Sequence, residues 1–201
     1  MKIVLASHNE GKLQEFREIF YNTNITMLPF SDYCHEGVEE TGLTFIENAI
    51  LKARYGCEKT GLSCIADDSG IVVPALNGAP GIYSARYAGT HGDMQANLEK
   101  LLMEMRGVPD EQRQAYFQCV LVFMENATDP SPIVAEGRWH GIITHQRQGE
   151  QGHGYDPILY LSEKKCTVAE LESSEKNSLS HRGVAMKQLY QKLIEAKHVS
   201  A

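Results

Sequence analysis

The chain has 201 residues, 42% of them apolar and 22% charged, with a net charge of −7. That length suits one domain with a substantial core, and the composition is ordinary for a soluble globular protein. The acidic balance argues against a nucleic-acid partner bound through a basic face, and no apolar run is long enough to span a membrane; a local lysine cluster can still hold a small anion.

Residues 1–6 form too short an apolar run for a signal peptide, so a cytoplasmic protein is expected. The five cysteines, Cys34, Cys57, Cys64, Cys119 and Cys166, are odd in number and lack metal-knuckle spacing. They read as reduced, mostly buried thiols. His140 and His145 are five apart on an expected strand and so point to opposite faces, which argues against a zinc site.

Residues 2–6 read as a buried first strand, and Leu13, Phe16, Ile19 and Phe20 then recur at helical spacing. The hexapeptide between them, Ser7-His8-Asn9-Glu10-Gly11-Lys12, is therefore a strand-to-helix turn. Ser7 or Asn9 can cap the helix, and Gly11 lets backbone approach a ligand. Free amides at a helix start beside a lysine suit phosphate, although the P-loop pattern is absent. Residues 22–43 are polar and irregular. Within them Glu36, Glu39 and Glu40 either belong to a solvated loop or include one that reaches a metal.

Thr44 and Glu47 form a capping box in which Glu47 reaches back to the Thr44 amide. The helix is expected to run to about Cys57, with Ile46, Ile50, Ala53 and Cys57 buried. Asn48 and Lys52, four apart, share another face, and Lys52 points either to solvent or into a cleft. Residues 62–70 read as a short apolar strand ending in Asp67-Asp68-Ser69-Gly70. Adjacent carboxylates repel and Asp is depleted in strands, so a divalent metal or a donor-rich turn would offset the cost. A solvated turn at the strand end is the alternative.

A turn is expected at residues 77–81, and residues 82–89, with two tyrosines flanking Arg86, have no clear assignment. Residues 93–105 read as an amphipathic helix with Met94, Leu98, Leu101, Leu102 and Met105 inward. Strands are expected at 115–124, 133–136 and 138–143, the last two joined by a tight turn, in an antiparallel part of the sheet. Residues 149–154 form a glycine-rich loop leading into Tyr155-Asp156-Pro157. His153 can stack on a flat ring and Asp156 can accept a hydrogen bond; a plain hairpin loop is the alternative. Residues 169–178 read as a short helix carrying Lys176. Ser180 caps the final helix, and His181 and Arg182 sit at its start, against the dipole, as if facing an anion or a carbonyl oxygen.

A phosphate turn, spare carboxylates, lysines and a ring-holding loop together describe a metal-dependent enzyme acting on a nucleoside triphosphate. The same residues resemble the inosine triphosphate pyrophosphatase family, and most closely its bacterial branch, over essentially the whole chain. The resemblance rests on six motifs in order: residues 7–12, Glu40-Thr41-Gly42-Leu43-Thr44-Phe45-Ile46-Glu47-Asn48-Ala49, Ala66-Asp67-Asp68-Ser69-Gly70, residues 78–86, Gly154-Tyr155-Asp156-Pro157, and Ser180-His181-Arg182-Gly183.

The resemblance implies an α/β fold, with a long curved mixed β-sheet flanked by helices in two lobes around a substrate cleft. It implies a single domain over residues 1–201, a homodimer, Mg²⁺, and hydrolysis of ITP, dITP and XTP to the monophosphate and pyrophosphate. By the same resemblance Ser7, His8, Asn9, Glu10, Gly11 and Lys12 hold the triphosphate, and Ser69 contacts substrate. Asp68 is general base and metal ligand, with Glu40 as the second metal carboxylate and Glu39 as the fallback. Lys52 and Lys176 neutralise phosphate charge. His153, Gly154, Tyr155, Asp156, His181 and Arg182 hold the base. His153 stands where the bacterial enzymes usually have phenylalanine, and His8 where glycine is frequent.

Overall fold

The computed structural model describes residues 1–196 and 198. Seven strands form one sheet in the order β2-β1-β3-β4-β5-β6-β7. Strand β1 (Lys2–Leu5) pairs in parallel with β2 (Thr26–Pro29) on one side and with β3 (Ser63–Val72) on the other. Strand β5 (Ile133–Ile143), next to β4 (Gln114–Met124), pairs antiparallel with β6 (Leu159–Leu161), which pairs antiparallel with β7 (Cys166–Thr167). The sheet is thus mixed. Helices are α1 (Glu10–Ile19), α2 (Phe45–Thr60), α3 (Met94–Glu104), α4 (Ser173–Leu179) and α5 (His181–Glu195). Among the described residues, no helix is long and apolar enough to cross a membrane.

The chain divides into two compact units, one of residues 1–68, 119–137 and 184 onward, the other of residues 69–118 and 138–183. In the first unit, α1 links β1 to β2 and packs its Leu13, Phe16 and Phe20 into a cluster with Ile3, Leu5 and Ile65. Helix α2 links β2 to β3 and packs Ala49, Ala53 and Cys57 against Val4, Cys64 and Ala66. Successive strand residues point to opposite faces, so α1 and α2 cover opposite faces of the three parallel strands. The strand order therefore reverses at β1, which makes the carboxyl end of β1 a topological switch point, where open α/β sheets bind ligands.

The second unit has one core, in which Leu98, Leu101 and Met105 of α3 meet Ile71, Phe117, Ile143, Ile158 and Leu159. Arg113 is buried beneath it and donates to the carbonyls of Ile143 (2.7 Å), Met105 (2.8 Å) and Thr144 (2.8 Å). Such saturation with acceptors is what a buried guanidinium requires.

Several sequence expectations change. Asp67-Asp68-Ser69-Gly70 does not end a strand, because β3 runs through it to Val72. The segment 133–143 is one strand, with Gly137 inside it rather than in a turn. Residues 22–43 contain β2, a four-residue strand that ends on Pro29 and is too short to leave a periodic signal. Helix α2 extends to Thr60 and buries Asn48, Ala49, Ala53, Gly56 and Cys57, whereas Ile46 is exposed. The buried stripe is made of small residues because the helix lies close to its sheet. A Cβ on Gly56 would stand 2.9 Å from the Cys64 sulfur and 3.0 Å from the Ala6 methyl. Met94, expected inward, is exposed on the first turn of α3. All five cysteines are free thiols; Cys57, Cys64 and Cys119 are buried.

Candidate active site

The turn after β1 is organised as its sequence requires. The Asn9 side chain caps α1 by accepting from the Lys12 amide at 3.0 Å, and the Ser7 hydroxyl accepts from the Asn9 amide at 3.2 Å. His8 faces away from this pair, with Nε2 3.0 Å from the Cys34 carbonyl and its ring against Phe30. Glu10 and Gly11 are exposed on the first turn.

Strand β1 stops its pairing with β3 at Leu5 opposite Ile65, and the Ala6 amide adds one bond to the Ile65 carbonyl. Beyond that point β3 continues alone on that side for Asp67 and Asp68. Two buried carboxylates thus lie just past the end of β1, at the level of the turn. The pleat sends them to opposite faces. Asp67 lies on the α1 face, where its Oδ1 is bonded by the Lys12 ammonium and its Oδ2 by the Cys119 thiol at 3.3 Å. Asp68 lies on the α2 face, where its Oδ1 accepts from the Lys52 ammonium at 2.6 Å. The same ammonium reaches Glu40 Oε1 at 3.1 Å. Glu39 is exposed.

Asn48, one turn before Lys52, fixes the Glu40 loop. Its Oδ1 accepts from the Gly42 amide at 2.8 Å, and its buried Nδ2 has no hydrogen-bond partner. The helix start is held independently, since Thr44 accepts from the Glu47 amide and the Glu47 carboxylate bonds the Thr44 hydroxyl and the Leu43 amide, each at 2.9 Å. Glu47 thus reaches back to Thr44 and also to the Leu43 amide, and these bonds hold its carboxyl below the usual range.

Burial raises the Asp68 carboxyl to about 6; Lys52 opposes that rise, while Glu40 and, least, Asp67 add to it. Burial also works against the Lys52 charge, but Asp68, Glu40 and Asp67 more than compensate and hold its pKa above the ordinary value. Asp68 Oδ2 is buried without a hydrogen-bond partner. Among the described residues no group of three His, Cys, Asp or Glu side chains forms a metal cage. Magnesium sites typically combine one or two carboxylates with substrate phosphates. The open oxygen of Asp68, beside Glu40 across one lysine, fits that donor set.

The second unit holds the other expected residues. Asp156 is buried, and its Oδ2 accepts from the His153 amide at 2.7 Å and from the Lys176 ammonium at 2.6 Å. Gly152, at φ +86°, lies so close that a Cβ there would collide with this carboxylate. The loop is tied down where the Gln148 carbonyl accepts from Thr167 Oγ1 at 2.9 Å and the Gln151 amide bonds the Ala169 carbonyl. Lys176 is thus paired with Asp156. Tyr155 turns inward, its ring in the core and its hydroxyl donating to the Ser84 carbonyl at 2.8 Å, and burial pushes its pKa up. The His153 residue is exposed. Ser180 caps α5 through the Gly183 amide at 3.0 Å, so His181 and Arg182 stand in its first turn. The His181 ring stacks on Phe117, with centroids 4.9 Å apart and planes 21° apart.

Sequence reading missed three supporting groups. Cys119 and Phe117 lie in a long apolar strand where nothing distinguishes them from core. Asn48 was visible only as a neighbour of Lys52.

The Ham1 family profile matches residues 3–192. The chain is 54% identical over 193 residues to a protein of Thioalkalivibrio sulfidiphilus named dITP/XTP pyrophosphatase, covering 96% of this chain and 98% of that one. It is 53% identical over 195 residues to a Yersinia pestis protein of the same name, covering 97% and 99%. A HAM1 protein from Coxiella burnetii superposes with a TM-score of 0.93 at 44% identity, covering 97% of this chain and 99% of that one. A nucleoside-triphosphatase / dITP/XTP pyrophosphatase from Mycobacterium abscessus gives 0.81 at 42% identity, covering 94% and 98%. With matches of this length in sequence and in fold, the chain belongs to the Ham1 family.

Proposed function

We propose that this chain hydrolyses non-standard purine nucleoside triphosphates, dITP, ITP and XTP, to the monophosphate and pyrophosphate, removing them from the nucleotide pool. The observation that carries the reading is Asp68, a buried carboxylate raised to about 6 with one oxygen lacking a hydrogen-bond partner. A carboxyl tuned in this way is a stronger base than an ordinary aspartate. The names of the relatives support the substrate class.

Asp68 would take a proton from the water that attacks the α-phosphorus. The new bond forms between that water oxygen and phosphorus, the bond to the bridging oxygen breaks, and pyrophosphate leaves. Lys52 would donate to phosphate oxygens as charge builds on them, and Lys12 would help hold the bound triphosphate. Glu40 and Asp68 would hold Mg²⁺, which when bound neutralises triphosphate charge. The amides of the turn at residues 7–12, at the start of α1, suit the anion. Ser69, next along β3, would contact the substrate.

For the base, both bonds to Asp156 fall on Oδ2, which leaves Oδ1 to accept from purine N1–H. His181 and Arg182 would donate to O6, and the His153 ring would stack. Lys176 is better placed to orient Asp156 than to meet phosphate. Adenine reverses both polar groups and would leave a carboxylate and a cation unpaired, a penalty that can reach about 10⁴–10⁵. By the family resemblance the chain would act as a homodimer in the cytoplasm.

The test is a substrate panel with Mg²⁺. Turnover of dITP, ITP or XTP far above dATP and ATP, with pyrophosphate as product, is expected; equal rates on ATP, or release of orthophosphate, would overturn the assignment.

A further inference from the structure

Asp67 has no part in the reaction just described, yet it is among the most constrained polar residues of the first unit. Its side chain is fully buried in mid-strand, on the face opposite Asp68. Buried carboxylates need donors on both oxygens, and here the donors differ. Oδ1 takes the Lys12 ammonium, and Oδ2 takes the Cys119 thiol of β4 at 3.3 Å. The thiol is a weak, uncharged donor. Of these two donors only Lys12 carries a charge, so its bond to Asp67 is the stronger.

Lys12 needs such a partner. It lies in the first turn of α1, its amide held by Asn9 at 3.0 Å, where the helix dipole opposes a positive side chain. A flexible lysine there would swing away from the amides of the turn. We propose that Asp67 is the positioning residue for Lys12, anchoring its ammonium beside the turn at residues 7–12 so that its remaining N–H groups meet a bound polyphosphate. An ammonium has three donors, so one bond to Asp67 leaves two for phosphate oxygens and fixes their direction. The two adjacent aspartates then have separate tasks on separate faces of β3. Asp68 works with Lys52 and Glu40, and Asp67 acts on the triphosphate through Lys12.

The inference rests on the triphosphate reading above, and the experiment separates the two. Binding of inorganic tripolyphosphate and of inosine monophosphate with Mg²⁺ is measured by calorimetry for the wild type, Asp67→Asn, Lys12→Met and the double variant. Kinetic constants for dITP follow on the same proteins. Asp67→Asn is expected to weaken tripolyphosphate and raise the KM for dITP by about tenfold, with kcat changed by less than about threefold. Affinity for inosine monophosphate should remain near the wild-type value. The double variant should match Lys12→Met within about twofold, because residues acting through one another do not add.

Wild-type tripolyphosphate affinity in Asp67→Asn, or losses that multiply in the double variant, overturns the proposal. Asp67→Glu keeps the charge but moves it outward, and gives the same readout should Asp67→Asn fail to fold; wild-type affinity in it also overturns the proposal. A wild-type protein that binds tripolyphosphate through this pair yet does not turn over dITP would sink the substrate assignment and leave the role of Asp67 standing.

Discussion

The two ionic groupings use the same residue types but are balanced differently. In the first unit the Lys52 ammonium is shared between Asp68 and Glu40, and the Lys12 ammonium meets Asp67. In the second unit Asp156 faces Lys176 and a backbone amide through one oxygen. The first arrangement leaves Asp68 raised to about 6, with an oxygen that no protein group satisfies. The second leaves a carboxylate clamped by a lysine and by a loop that admits only glycine at position 152. An under-satisfied group is poised to move a proton or take a cation, whereas a clamped one can only present a fixed hydrogen-bonding edge. On the proposed reading, the first grouping would serve the chemistry and the second the recognition of the base.

The largest test of that contrast is Asp68→Asn. Loss of the base should lower kcat for dITP by about 10²–10⁴-fold, while the circular dichroism spectrum stays that of the wild type. Near-normal turnover would remove Asp68 from its role.

Asp156→Asn should act on selectivity instead. The amide can still be held in the loop but turns a donor toward N1–H, so kcat/KM for dITP should fall by about 10–100-fold. The value for dATP should fall less, which narrows the ratio between the two. A uniform fall on both substrates would mean that the second grouping does not read the base.

The smallest effect concerns pH. In the free enzyme Asp68 must be ionised to act, so kcat/KM should fall as pH drops below about 6. Stability runs the other way. A carboxyl raised on folding binds its proton more tightly in the native state. Its contribution is therefore fully present below the ordinary aspartate value and is lost as pH rises through about 6. Urea unfolding of metal-free protein at pH 4.5 and 7.5 should show the wild type losing roughly 1–3 kcal/mol relative to Asp68→Asn across that interval. A constant difference would mean that the burial of Asp68 costs the fold nothing.

Much of this arrangement is legible in the sequence because it is local. Asn9 capping α1, Thr44 capping α2 and Ser180 capping α5 follow from side chains bonding amides three residues away. The placement of His181 and Arg182 in the first turn of α5 follows from that cap. The stripe of α2 is legible only in part, with Ala53 and Cys57 buried as expected but Asn48 and Gly56 unsignalled, because a periodic pattern reports apolar size and not closeness of approach. Ile46 looked buried and is exposed, while Gly56 sits against Cys64. Tyr155 looked available to a ligand, but the core claims its ring.

Taken alone, the sequence determined the helices, their caps and the set of residues carrying charge and donors, since each depends on neighbours within a turn or two, whereas β2 and the true extents of β3 and β5 depended on the sheet. Tertiary structure decided which charges meet. Asp67 finds Lys12 across 55 positions and Cys119 across 52, and Asp68 finds Lys52 across 16. Those partnerships depend on where β1 stops pairing with β3 and on which face each helix covers. Two adjacent aspartates that should repel in a turn are instead separated by the pleat of one strand, and the burial that raises Asp68 exists only once the sheet and α2 have closed around it.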